Sequence, residues 1–269
     1  MREDSKSASR VPVLYLYGIF LFLLVIITFT GVISMNKNRS KHIRTIVAVG
    51  VFSALAYVCC VLFHFKASFL TFDLKDAVMT VGAMFFGPVY GIAMSLVVAT
   101  IEAVTISDTG PYGFIMNLIS SSVFVGVGSL IYCKWRTMKG AVVGMISAAI
   151  LTVAVMMGAN LLITPHFMSI GGSNVSASDV ARLIPTLLFP FNLTKAVFNA
   201  SVVFLIYKPV ATAVRSAGFI PAGNDRAMVS SSAGPKKTRQ IITTCISLAI
   251  AILAMLYFFL VLGGEFNFA

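Results

Sequence analysis

The chain has 269 residues, of which 58% are hydrophobic and only 11% charged, with a mean hydropathy of +0.96. That composition excludes an ordinary soluble domain and defines a polytopic membrane protein. The formal charge of +11 would favour a nucleic-acid partner in a soluble protein. Cytoplasmic loops of membrane proteins collect Lys and Arg during insertion, so the partner expected is the lipid bilayer and not nucleic acid.

Apolar runs occupy 11–34, 46–63, 77–106, 113–133, 140–163, 183–207 and 241–264. The run 77–106 is too long for one ordinary span and breaks at "GPVYG", where Gly87, Pro88 and Gly91 supply a tight turn. Eight helices are therefore predicted. The piece 77–87 is short for a bilayer that needs about 20 residues, which calls for a tilted or partly buried helix. The fold class is an all-α polytopic membrane protein. Its six-helix core occupies 35–213, with an extra transmembrane helix within 1–34 and another within 241–269. The stretch 214–240 is rich in Gly, Ser, Pro and charge, and reads as a cytoplasmic linker.

Basic residues set the orientation. Lys37, Arg39, Lys41 and Arg44 open the core, Lys134, Arg136 and Lys139 fall midway, and Lys208, Arg215, Arg226, Lys236, Lys237 and Arg239 lie at its end and beyond. These 13 of the 20 basic residues share one side if the spans alternate, and that side is the cytoplasm. Loops 64–73, 107–112 and 164–182 then lie outside. The first ten residues would also lie outside, despite Arg2, Lys6 and Arg10. Either the first span is an N-out helix, or translation starts at Met35, where "MNKNRSKHIR" has the form of a cytoplasmic start.

Cys59, Cys60, Cys133 and Cys245 lie in or at the ends of spans without a CxxC pair, and the three His residues have no ligand spacing. Apolar packing is the reading for the cysteines, and no metal site is expected. The sequence holds neither a Walker A loop nor a nucleophile elbow, so the chain is not expected to hydrolyse ATP itself.

The polar residues within the spans carry the functional signal. In "LLFPFNLTKAVFNASVVFLIYKP", residues 187–209, Asn192, Lys195 and Asn199 stand at i, i+3 and i+7 and share one helix face. A lysine within a span is costly unless it pairs or lines a cavity. Pro190 suits the N1 position, which would put Asn192 in the first turn and Lys195 in the second, near the outer surface. The predicted topology brings Glu102, Asn117 and Asn160 to the same outer level. Five such residues at one depth point to a pocket open to the outside. One Lys, one Glu and three amides suit an uncharged ligand rich in hydrogen-bonding groups. Phe69, Phe72, Tyr112 and Phe191 share that level, either sandwiching a flat ring or facing the interface. A second pattern is made of small residues: Gly91, Ser95, Ala99 and Ala103 on one helix, Gly50 and Ala54 on another. Such stripes serve close helix packing, within the chain or with a membrane partner.

Several stretches together, "TIVAVGVFSALAYV", "FLTFDLKDAVMTVGAMFFGPVYG", "GPYGFIMN", "ITPHFM" and "FPFNLTKAVFNASVVFLIYKP", resemble the riboflavin-specific substrate-binding (S) subunits of energy-coupling-factor (ECF) vitamin transporters. The likeness covers roughly 43–213 in order, and omits both end helices and the 214–240 linker. It implies a six-helix binding protein without cofactor or catalysis, holding riboflavin as transported ligand near the outer surface beneath the first loop. It implies as partners an ECF coupling transmembrane protein and two cytoplasmic ATPases, whose ATP hydrolysis drives uptake. Binding roles carry over to Thr71, Asn160, Asn192 and Lys195, and the coupling protein is expected on the small-residue face of Gly50 and Ala54. The same architecture for another vitamin or small heterocycle stays open at this stage. So does an ion-coupled carrier in which Glu102 and Lys195 exchange a proton.

Overall fold

The computed structural model of the chain describes residues 41–107, 109–170, 176–217, 219 and 236–266. The helix expected within 11–34, the choice of start and most of the 214–240 linker lie outside the described residues. The first helix, α1, spans Lys41–Leu62, and a small hairpin follows, β1 (Phe65–Ala67) and β2 (Leu70–Phe72). Next come α2 (Lys75–Phe86), α3 (Pro88–Thr105), α4 (Gly110–Trp135) and α5 (Met138–Ile170). After these, α6 (Ala177–Leu183), a π-helical stretch (Ile184–Leu188) and α7 (Phe189–Ser216) form one helical run. The chain closes with α8 (Lys236–Leu260) and a short strand β3 (Glu265–Phe266).

Six described helical runs are long and apolar enough to cross a membrane: Ile43–Leu62, Pro88–Thr105, Gly110–Trp135, Met138–Phe167, Ala177–Ser216 and Ile241–Leu260. The exception in the core is α2. Its 12 residues rise only about 18 Å, short of the hydrocarbon thickness. It is stable there because protein, not lipid, surrounds it. Lys75 through Met84 are all buried, packed by α1, α3, α4 and α7. The expected short, buried helix is thus the hub of the bundle. Gly87, at φ +111°, makes the reversal into α3, a conformation open to glycine, and Pro88 starts the next helix.

Three expectations change. The 64–73 loop contains the hairpin, its tip turning at Ser68 with φ +57°. Helix α5 runs on through Pro165 to Ile170, so its 33 residues enter the stretch expected as an outer loop. Helix α7 does not begin afresh at Pro190, because α6 leads into it. The π-helical stretch slips the bonding by one residue, with Phe189 N–H donating to the Ile184 carbonyl. A proline without an N–H is accommodated just beyond that slip.

For the stripe of Gly91, Ser95 and Ala99, the expected use as a coupling-protein interface is overturned, and packing within the chain is what the structure shows. Gly91, Ser95 and Ala99 are buried, and a Cβ at Gly91 would stand 2.6 Å from Ala83 and 2.7 Å from Val125. They let α2, α3 and α4 approach one another and offer no face to a partner. Gly50 is different. It is exposed with nothing within 4 Å of its Cβ position, and Ala54, one turn on, is half-buried.

Candidate ligand-binding site

The polar residues meet where the hairpin covers one end of the bundle, the end expected to lie outside. Lys195, from α7, donates from Nζ to the Thr71 carbonyl at 3.1 Å and to Asp73 Oδ2 at 2.8 Å. Asp73 also pairs with Lys75, at 3.2 Å, and Lys75 pairs in turn with Glu102 of α3. Glu102 accepts from Asn117 Nδ2 of α4 at 2.8 Å. Two ammonium groups thus alternate with two carboxylates, all buried, linking the hairpin's end to α2, α3, α4 and α7. Buried charges are tolerated only in such pairing. Burial pushes the Asp73 carboxyl up, but Lys195 and Lys75 beside it prevail and hold it well below the usual carboxylate range.

Asn199 completes the polar face of α7 in a structural role. Its Nδ2 donates to the Asp73 and Lys195 carbonyls, and its Oδ1 accepts from Ala77 N–H at 2.9 Å. Leu74, at the N-cap of α2, has no side-chain acceptor, so Asp73 Oδ1 accepts from the Lys75 N–H at 3.3 Å and Asn199 caps the Ala77 N–H from another helix. Asp76 accepts from Ser121 Oγ of α4. The Asp73 and Glu102 carboxylates lie close enough to the Cys60 thiol to hold a metal ion. The Lys75 ammonium, bound to both carboxylates, already supplies the positive charge there.

Two adjoining clefts open beside this network. One, of about 490 Å³, is lined by Phe69, Thr71, Tyr112, Asn117, Phe191, Asn192 and Lys195 among others. The other, of about 460 Å³, shares Phe69, Thr71 and Asn117 and adds Glu102, His64 and Ser107. All but two of the residues expected at the site, namely Thr71, Glu102, Asn117, Asn192, Lys195, Phe69, Tyr112 and Phe191, therefore border the clefts.

The other two do not. Phe72 is wholly buried among Phe65, Phe191, Phe198 and Phe258. Asn160 is buried behind Tyr112, bonding the Met156 carbonyl and the Thr164 hydroxyl, which in turn meets the Tyr112 hydroxyl. Asn160 positions the Tyr112 ring, which stacks on Phe167 at 4.1 Å. Asp73 and Lys75 are the main residues that sequence reasoning left out. The available signal was the spacing of "DLKD" at the margin of an apolar run.

The remaining hydrogen-bonding capacity defines what the clefts can hold. Asn192 spends its Nδ2 on the Leu188 carbonyl, leaving its amide oxygen for a ligand donor. Asn117 likewise spends Nδ2 on Glu102. An ammonium has three donors, and Lys195 uses two within the chain. The charges already cancel among themselves, so a neutral ligand with both donors and acceptors fits.

A balanced polar network sealed inside an apolar helical bundle, beside an open cleft beneath a hairpin, defines a multi-pass membrane binding protein. Residues 44–207 match the family described as ECF transporter, substrate-specific component, and the chain belongs to that family. Its members are transporter components and not enzymes, and the chain is a multi-pass protein of a bacterial membrane. It is 26% identical over 181 residues to the riboflavin transporter RibU of Staphylococcus aureus (strain TCH60), covering 66% of this chain and 94% of that one. It is 23% identical over 185 residues to the riboflavin transporter FmnP of Bacillus subtilis (strain 168), covering 65% and 97%. A solved structure of the S component of a bacterial ECF transporter shares the fold, with a TM-score of 0.55 at 23% identity, covering 65% of this chain and 99% of that one.

Proposed function

We propose that this chain binds riboflavin at the outer surface and hands it to an ATP-driven ECF module, made of a coupling membrane protein and two cytoplasmic ATPases. The observation that carries the reading is the pairing of Asn192 and Lys195 on one face of α7, with an unused acceptor beside an unused donor at the cleft wall. The isoalloxazine edge offers an imide N–H between two carbonyls. Asn192 Oδ1 can accept from the first and Lys195 can donate to one of the second. Tyr112, Phe191 and Phe69 supply apolar faces for the flat ring. The ribityl hydroxyls, each donor and acceptor, suit Asn117, Thr71 and Glu102. Two relatives that are riboflavin transporters support the same ligand. The ligand needs no cofactor, and the bound molecule is cargo.

The chain should purify yellow and fluorescent when expressed in cells that contain riboflavin. Asn192→Ala should weaken riboflavin binding by roughly 1–3 kcal/mol, the cost of an orphaned buried partner. Titration of flavin fluorescence checks this, and wild-type affinity in a folded Asn192→Ala variant would refute the assigned contact.

A further inference from the structure

The riboflavin-transporter relatives and the solved S component are almost fully spanned by about two-thirds of this chain, and the family match ends at residue 207. Helix α8 and strand β3 are therefore additions to the binding core, yet they are built into it. Helix α8 packs along α7 and returns the chain to the outer side, where the hairpin lies. At its outer end Phe258 is wholly buried. Its ring lies 4.6 Å from that of Phe72, 6.3 Å from Phe65 and 6.2 Å from Phe191.

The chain then doubles back over that ring. Gly263 has φ +63°, and a Cβ on Gly264 would stand 2.1 Å from Phe258 Cε1, so the return requires glycine at both positions. Gly264 N–H donates to the Phe258 carbonyl at 3.2 Å. Beyond the turn β3 pairs antiparallel with β1, Phe65 opposite Phe266 and Lys66 opposite Glu265, giving the sheet order β2-β1-β3. A two-stranded hairpin of three-residue strands has little stability of its own; a third strand and a buried aromatic add to it.

We propose that Phe258–Phe266 is a strap that holds the hairpin down over the cleft, with Phe258 as a positioning residue acting on the ligand through Phe72 and Phe191. A molecule that enters or leaves beneath the hairpin requires it to lift, so the strap sets how long the ligand is held. The inference rests on the reading above that the ligand lies beneath the hairpin.

The test uses the full chain in nanodiscs, with Phe258→Ala and Gly264→Val as strap variants. Leu253→Ala, on the same helix but 64% exposed, is the control. In ligand-free protein, hairpin amides 64–73 should exchange with deuterium at least about tenfold faster in both strap variants, while amides of α4 and all those of the control keep their wild-type rates. Riboflavin release after dilution should quicken about tenfold in the strap variants, because opening becomes easier. Unchanged hairpin exchange in both variants overturns the strap, as does faster exchange with unaltered release. Failure of the wild-type chain to bind riboflavin would sink the ligand reading instead, and the exchange arm would still decide the strap. Gly264→Val retains the Phe258 side chain and instead blocks the return of the chain over it, so a folding defect confined to Phe258→Ala does not decide the outcome.

Discussion

Lys195→Met should lower riboflavin affinity by about 100-fold, the equivalent of roughly 3 kcal/mol. Removing one partner of a buried ion pair costs roughly 3–5 kcal/mol, and the lower end applies because Asp73 keeps Lys75 at 3.2 Å. Two losses combine in this variant. The ligand loses a donor at the cleft, and the hairpin loses the ammonium that ties the Thr71 carbonyl and Asp73 to α7. The variant should also respond differently to acid. In the wild type, burial raises the Asp73 pKa and its two lysines more than reverse this, so the folded value is depressed. Such a carboxylate contributes stability fully above the ordinary carboxylate range and loses it only as pH falls through the depressed value. Without Lys195 the depression shrinks, so the ionised Asp73 contributes less stability at neutral pH and the variant should lose less of it on acidification than the wild type does. Fluorescence titrations at neutral pH, and thermal unfolding between about pH 2 and 7, check both effects. Unchanged affinity with an unchanged acid profile would remove Lys195 from the site.

Joint replacement of Gly50 and Ala54 by Leu should abolish riboflavin uptake in cells while leaving ligand binding to the purified chain intact. The Cβ position of Gly50 has open space around it, so added bulk meets no neighbour within the chain. A coupling helix that packs closely on this face would be held off by it. Gly91→Leu is the informative contrast. Its side chain would be driven into Ala83 and Val125, overpacking the joint between α2, α3 and α4 at a cost of about 1–3 kcal/mol or more. It should lose stability, binding and uptake together. Uptake that survives the Gly50 and Ala54 replacements would place the coupling contact elsewhere.

These two sets of small residues show what the sequence could and could not reveal. Spacing identified both as close-packing faces, but whether each faces inward or outward depends on where the helix sits in the bundle, which spacing does not encode. The same limit explains Phe72 and Asn160. Their depth along the chain was legible, yet one ring turns into the aromatic core and the other amide stands behind Tyr112. The helices were legible because lipid demands long apolar runs, and Gly87–Pro88 marked the break that creates α2. The hairpin was not, since strands as short as "FKA" and "LTF" carry no usable periodicity. Lys75 and Asp73 were missed for a physical reason: charges at the edge of an apolar run read as solvated loop. Here α2 is enclosed by protein, and the entry into it carries Asp73 and Lys75 inward to Lys195 and Glu102.

The account holds that the chain binds its vitamin but does not itself drive it uphill, and transport by reconstituted protein tests this most directly. Among the described residues Glu102 is the carboxylate of the membrane-crossing core that borders the clefts, and it is held by Lys75 and Asn117, as expected of a wall and not of a proton carrier. Proteoliposomes with the chain alone should bind riboflavin at about one per chain and accumulate none, with or without a proton gradient. Addition of the coupling protein and both ATPases, with ATP on their side, should start accumulation. Concentrative uptake by the chain alone, lost in Glu102→Gln, would contradict the account and establish an ion-coupled carrier.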